Sequence, residues 1–132
     1  MNATLTDEMR QMLRAQLPII ATVTDAATPD IGPKRTLRAY DESSLIFNEN
    51  TAGQHLRNIR AGSRVAVAVV DREAPDGYRF LGRAEVHESG PVMDDAVAFA
   101  RERGMGLPKA AVLIRIEEIF SLRPGATAGK RV

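Results

Sequence analysis

The 132-residue chain has no cysteine, no tryptophan and only two histidines, His55 and His87. Without cysteine there is no disulfide scaffold, cysteine zinc site, iron–sulfur cluster or thiol nucleophile. Two histidines far apart in sequence give no His-rich metal cluster, so only carboxylates are left as ligands for Mg²⁺ or Ca²⁺. Charge of one sign is also lacking. Lys and Arg number 18 against 17 Asp and Glu, a net charge of +1. That balance gives no support to a nucleic-acid binder or a polybasic membrane protein. No apolar run approaches the length of a membrane span, and no apolar segment follows a basic start as in a signal peptide. These absences lead to the expectation of a soluble, cytoplasmic protein.

Several familiar motifs are missing as well. Gly104-Met105-Gly106 has Lys109 where a dinucleotide fingerprint needs glycine, and a strand rather than a helix follows it. There is no phosphate loop of the Walker type, and no serine sits between glycines as a nucleophile elbow. Asp94-Asp95 and Glu117-Glu118 are adjacent pairs. Neighbours on a strand point to opposite faces, so Glu117 and Glu118 are a poor acid–base couple. No catalytic residue and no metal ligand is assigned.

What is present is ordinary globular composition, with 44% apolar and 27% charged residues. This length suits a single domain, residues 1–132, able to bury a core without staples. The N-terminal part, 1–16, carries an amphipathic helix from Thr6, with Asp7 and Glu8 in its first turn, ended by Pro18. Strands are expected at Ile19–Thr24, Ile31–Tyr40, Ser44–Asn48, Arg64–Asp71, Tyr78–His87 and Lys109–Leu122. Near-continuous valine in Arg64–Asp71 implies burial on both faces. Gly82, inside a long strand, predicts a bulge or a close backbone approach. Helices are expected over Ala52–Arg60 and from Gly90-Pro91 to about Arg103, and residues 123–132 read as a loose tail. Helix, three strands, helix, two strands, helix and strand make a mainly β, α+β chain: a six-stranded antiparallel barrel with short flanking helices.

Three segments carry the polar chemistry. Pro33, Lys34, Arg35, Thr36, Leu37 and Arg38 form an oddly basic stretch on the second strand. Asn48, Glu49, Asn50 and Thr51 end the third strand. Gln54 and His55 open the helix that follows. In a hairpin, strands two and three are neighbours, so their polar residues can line one groove. A helix start offers unpaired N–H groups that suit a phosphate, and Arg38 can add a bidentate contact. A phosphate site beside a polar groove is nucleotide-like.

These segments, with Tyr40-Asp41-Glu42, Leu45-Ile46-Phe47, Asn58-Ile59, Arg64-Val65-Ala66-Val67 and Gly82-Arg83-Ala84-Glu85-Val86, resemble the flavin-binding split-barrel proteins. That group contains pyridoxamine 5'-phosphate oxidase and small bacterial FMN-binding proteins. The resemblance covers roughly Leu17 to Leu122. It implies a homodimer with two FMN sites at its interface. Pro33 to Leu37 would follow the isoalloxazine ring, Arg38 would approach the phosphate, and Asn48 and Glu49 would lie beside the ring or ribityl chain. Gln54 and His55 fall where the oxidases carry an Arg-Lys pair for the phosphate. The oxidases also continue past the last strand with a Trp-Arg-Leu type segment, whereas Ser121-Leu122-Arg123-Pro124-Gly125 stands here, so the vitamin B6 pocket is not expected. The resemblance implies an FMN-dependent oxidoreductase or electron carrier with a small-molecule electron donor or acceptor. Two readings stand beside it: the same barrel holding FMN, the deazaflavin F420 or haem without turnover, and a dimer whose site has decayed.

Overall fold

Residues 3–132 are described by a computed structural model. In chain order its elements are α1 (Asp7–Ala15), β1 (Ile19–Val23), β2 (Pro29–Pro33), β3 (Arg38–Asp41), β4 (Ser44–Glu49), α2 (Gln54–Arg60), β5 (Arg64–Asp71), β6 (Asp76–His87), α3 (Pro91–Glu102) and β7 (Ala110–Ser121). The strands form one sheet in the order β2-β1-β5-β6-β7-β4-β3, and every pairing is antiparallel. The two edge strands, β2 and β3, are consecutive in sequence. Four residues join them, and the Leu37 N–H donates to the Lys34 carbonyl at 3.2 Å. A β-turn holds its first and last Cα atoms within about 7 Å. The sheet therefore has to curl until its edges nearly meet, and the result is a split β-barrel.

Seven strands stand where six were expected, because Ile31–Tyr40 is two strands and not one. Pro29 and Pro33 bound β2 and donate no ladder hydrogen bond, which suits an edge strand. The chain then turns at Lys34–Leu37 so that Thr36 and Leu37 bury their side chains. Consequently β2 pairs only with β1, and β3 pairs only with β4.

Inside the barrel, alternate positions of the strands meet. Ile20, Val65, Val67, Val69, Phe80, Ile114 and Ile116 are buried there with Leu45 and Phe47. Leu5, Met9 and Leu13 of the α1 region and Leu56 and Ile59 of α2 complete the same core. The α1 N-terminus is fixed by Thr6, whose hydroxyl accepts from the Met9 N–H at 3.3 Å. Asp7 and Glu8 in its first turn and Arg14 in its last follow the helix dipole. Outside the barrel, α3 lays Val92 and Ala96 over Ile46, Ala111 and Leu113 of β4 and β7.

The outer face of β2-β1-β5-β6 has a different character. Ile31, Ala21, Ala66 and Leu81 form one row across it by register. Ile31, Val23 and Val70 are exposed on this side of the molecule. The valine run of β5 thus buries Val65, Val67 and Val69, while Ala66 and Ala68 are only half-buried. Residues 123–132, expected as a loose tail, instead double back on β7. The Ser121 N–H donates to Lys130 O and the Val132 N–H to Ile119 O, each at 2.9 Å. No helix among the described residues is long and apolar enough to cross a membrane.

Gly82 lies at a register shift between β6 and β7. A Cβ there would collide with the Arg115 carbonyl oxygen and lie 2.9 Å from its carbon. The ladder holds that backbone in place, so the collision cannot relax cheaply. Gly82→Ala is expected to lower the unfolding free energy by about 3 kcal/mol. Gly106, with open space around it, should tolerate alanine within about 0.5 kcal/mol. Urea denaturation of the two variants checks both values.

Candidate functional site

The turn that closes the barrel is also where the basic stretch lies. In a β-turn the two central N–H groups face away from the closing hydrogen bond. Here they belong to Arg35 and Thr36, and among the described residues no group accepts from either. Side chains then leave the turn in different directions. Lys34 reaches across to Glu49, with Nζ 3.3 Å from Oε1 and 4.8 Å from the centre of the Phe47 ring. Thr36 is buried, and its hydroxyl accepts from the Asn48 N–H at 2.9 Å. Leu37 enters the core. Arg38 donates to the Thr36 carbonyl and to Asp95 Oδ1, both at 2.8 Å, and more weakly to Asn48 Oδ1 at 3.4 Å. Its guanidinium lies 3.6 Å from the centre of the Phe99 ring. Burial pulls the Arg38 guanidinium below its ordinary value, and the hydrogen bond and charge of Asp95 offset part of that.

Asn48 and Glu49 fasten the turn to the barrel. The Asn48 amide donates to the Ala96 carbonyl at 2.9 Å, which ties β4 to α3. Glu49 is buried, and its Oε2 accepts from Thr51 N–H, Ala52 N–H and the Thr51 hydroxyl at 3.2, 3.1 and 3.3 Å. Ala52 is held at φ +53°, in the left-handed region that costs a residue with a Cβ about 1 kcal/mol or more. Asn50 and Thr51 are exposed at the rim. Glu49 thus takes the Thr51 and Ala52 amides just ahead of α2, while the first turn of α2 itself carries no side-chain cap at Gly53.

Gln54 and His55 are likewise engaged within the protein. The Gln54 amide donates to Asn58 Oδ1 at 2.6 Å and accepts from Arg57 at 2.9 Å. His55 Nδ1 lies 2.7 Å from the Thr22 hydroxyl, and Nε2 lies 3.6 Å from Asp30 Oδ2. The buried Thr22 oxygen accepts from the Asn58 amide at 3.0 Å. With the ring proton on Nε2, facing Asp30, the Thr22 hydroxyl donates to His55 Nδ1. Burial holds the imidazole below its usual value, with Lys34 acting the same way and Asp30 and Glu49 opposing.

Eight of the twelve residues singled out from the sequence therefore fall on two sides of the turn. Lys34, Glu49 and Thr51 meet on one side, with His55 beside β2. Arg35, Thr36, Leu37 and Arg38 form part of the wall of a cavity of about 490 Å³ on the other. Sequence reasoning missed the far wall of that cavity: Arg10 and Arg14 of α1, and Phe99 and Arg103 from the C-terminal end of α3. The i, i+4 spacing within each pair was a signal that they share a face. Nothing local showed that the two faces meet.

An antiparallel sheet rolled up by one basic turn between its edge strands defines a split-barrel protein with an arginine-lined cleft at the seam. The chain belongs to the pyridoxamine 5'-phosphate oxidase family, whose sequence model matches residues 5–123. It is similar to HupZ of Group A Streptococcus, at 44% identity and a TM-score of 0.88 over 95% of this chain and 99% of that one. It is 29% identical to the uncharacterized protein MJ0282 of Methanocaldococcus jannaschii over 97% of this chain and 87% of that protein. An FMN-binding protein from Syntrophomonas wolfei shares the fold, with a TM-score of 0.76 at 15% identity over 89% of this chain and 85% of that one.

The burial of His55 sets a pH dependence. The folded state keeps the ring neutral where the unfolded chain, with an ordinary value of 6.5, takes up a proton. The stability this gives is full above pH 6.5 and is lost as pH falls through the lower folded value. Urea unfolding at pH 7.5, 6.5 and 5.5 should show falling stability in the wild type and a flatter profile in His55→Gln. Parallel profiles would remove His55 as the cause.

Proposed function

We propose that this protein binds FMN along the Pro33–Arg38 connection and acts as an FMN-dependent oxidoreductase or electron carrier. The observation that carries the reading is the pair of unclaimed amides on Arg35 and Thr36, flanked by cationic side chains. Two adjacent N–H donors suit the polar edge of a planar heterocycle, and guanidiniums suit a phosphate. Family membership supports the same reading. Bound FMN supplies reversible one- and two-electron redox chemistry.

The chain's own residues would then divide the work. Pro33, Lys34, Arg35, Thr36, Leu37 and Arg38 supply the backbone edge. Lys34 is committed to Glu49 and Arg38 to Asp95, so Arg35 carries the free positive charge toward an anionic ligand. Asn48 and Glu49 hold the turn's shape, and Asn50 and Thr51 form the rim. Gln54 and His55 need to leave their internal partners to reach a phosphate. That last point favours a second reading, in which the barrel holds FMN, F420 or haem without turnover. No general base is required for electron or hydride transfer to a flavin, so the lack of a catalytic dyad counts against neither reading.

We also propose that residues 1–132 act as one cytoplasmic domain within a homodimer. The support is the outer row Ile31, Ala21, Ala66 and Leu81, apolar and built on small side chains at its centre. Helix α3 covers the other outer face, and a second copy of this sheet would cover this one.

The purified protein should show flavin absorption bands after FMN is added and the excess removed. Arg35→Gln should weaken FMN binding about tenfold or more, the loss expected for one charge-assisted hydrogen bond. A protein that stays colourless rejects FMN, and bleaching by NADH or NADPH separates turnover from storage. Light scattering should give a dimer, and Ala66→Glu should give a folded monomer. A wild-type monomer that retains FMN would refute the interface.

A further inference from the structure

The cavity behind the closing turn has a lining of unusual sign. Of its ten lining residues, five are arginines (Arg10, Arg14, Arg35, Arg38 and Arg103) and none is acidic. The chain as a whole is nearly neutral, so this is a local concentration of charge. The arginines come from three separate parts of the fold: α1, the closing turn and the adjoining start of β3, and the end of α3. Like charges gathered at one cavity repel one another and draw counter-ions of the opposite sign.

Several of these side chains are held in place. Arg38 and Arg103 both lie against Phe99, at 3.6 and 3.7 Å from its ring centre. One aromatic ring thus orients two guanidiniums, an arrangement its quadrupole favours on either face. Arg38 is further fixed by Asp95 and by the Thr36 carbonyl. Arg10 donates to the Asp41 carbonyl at 3.4 Å. Arg14 and Arg35 are exposed, and neither pairs with a carboxylate among the described residues. Asp95 and Glu102 each answer one arginine, Arg38 and Arg103 respectively. The cationic excess is therefore carried chiefly by Arg10, Arg14 and Arg35.

We infer that this cavity binds a small organic polyanion carrying at least two acidic groups. A monoanion leaves most of the guanidiniums uncompensated. Two or more phosphate or carboxylate groups can engage arginines from α1, the turn and α3 at once, each in the planar bidentate mode that guanidinium allows. The inference goes beyond the flavin reading. It shares Arg35 and Arg38 with the proposed FMN site but depends on Arg10, Arg14 and Arg103, which that reading does not use. If both hold, the polyanion lies beside the flavin edge as substrate or effector.

The test is calorimetric titration of the purified protein, first as isolated and then with FMN added, at constant ionic strength. The probes are inorganic pyrophosphate, citrate and, as a monoanion reference, acetate. Pyrophosphate or citrate should bind at least tenfold more tightly than acetate, and the stronger of the two identifies phosphate or carboxylate as the preferred group. The double variant Arg14→Gln/Arg103→Gln should lose tenfold or more of that affinity, while its FMN retention stays unchanged. Arg60→Gln, on a distant salt bridge with Glu88, should change nothing. Equal and weak binding of all three probes, or a double variant that binds as the wild type does, would overturn the inference. A protein that binds pyrophosphate or citrate in this way but ignores FMN would keep the polyanion site and reject the flavin.

Discussion

One short turn, Lys34–Leu37, joins the two edges of a seven-stranded sheet. Everything else in the molecule accommodates that constraint. A flat sheet of this size would hold its edge strands tens of ångströms apart, since neighbouring strands lie about 4.8 Å from one another. Joining them through four residues forces the sheet to roll, and rolling creates the interior that Phe47, Phe80 and the inner valines fill. The closure is covalent but not laddered: β2 and β3 do not pair with each other. Side chains stand in for the missing ladder. Thr36 bonds to Asn48, Lys34 to Glu49, and Arg38 to Asn48 and Asp95.

Replacing a ladder by side chains has a chemical consequence. A closed ladder would have consumed the backbone donors at the seam, whereas the turn leaves Arg35 and Thr36 N–H groups unclaimed. It also puts an ion pair at low exposure, with the Glu49 side chain 1% and the Lys34 side chain 17% exposed. Burying a charge pair costs several kcal/mol per ion unless further hydrogen bonds compensate. Glu49 obtains them from Thr51 and Ala52, which in turn fixes the approach to α2 and the left-handed backbone at Ala52. Barrel closure, the position of α2 and the polarity of the cleft are thus coupled through one carboxylate.

The parts of the fold that were legible in the sequence are those governed by local pattern. The strand at Arg64–Asp71 (though not its burial, which is on one face and not both), the Thr6 cap, Pro91 at the start of α3 and the bulge at Gly82 depend on neighbours within a few residues or on the absence of a side chain. The break inside Ile31–Tyr40 was marked by Gly32-Pro33, a dipeptide that punctuates strands, but mixed apolar and polar residues continue past it and the two strands read as one. The chain end was misread for a related reason. Its polar, glycine-containing composition is that of a mobile segment, yet its backbone pairs with Ile119 and Ser121. In the cleft, the basic run Lys34-Arg35-Arg38 was visible, but its division was not. Lys34 turns inward because Glu49 is buried, while Arg35 and Arg38 face the cavity. Arg10, Arg14 and Arg103 lie about 25 and 65 residues away along the chain and join them only through the closure.

His55 shows why residue type alone was a poor guide to role. A histidine at a helix start next to a basic strand suits an anion, and that is how its chemistry reads in isolation. Thr22 and Asn58 change the reading. Thr22 is an inward residue of β1, and its buried hydroxyl needs both a donor and an acceptor. Asn58, one turn further along α2, supplies the donor, and His55 Nδ1 supplies the acceptor. Burial around the ring disfavours its protonated form, and Lys34 acts in the same direction. The site's fixed positive charge therefore has to come from groups that carry it at every physiological pH. Arginine meets that requirement, and the cavity wall at the seam is built from it.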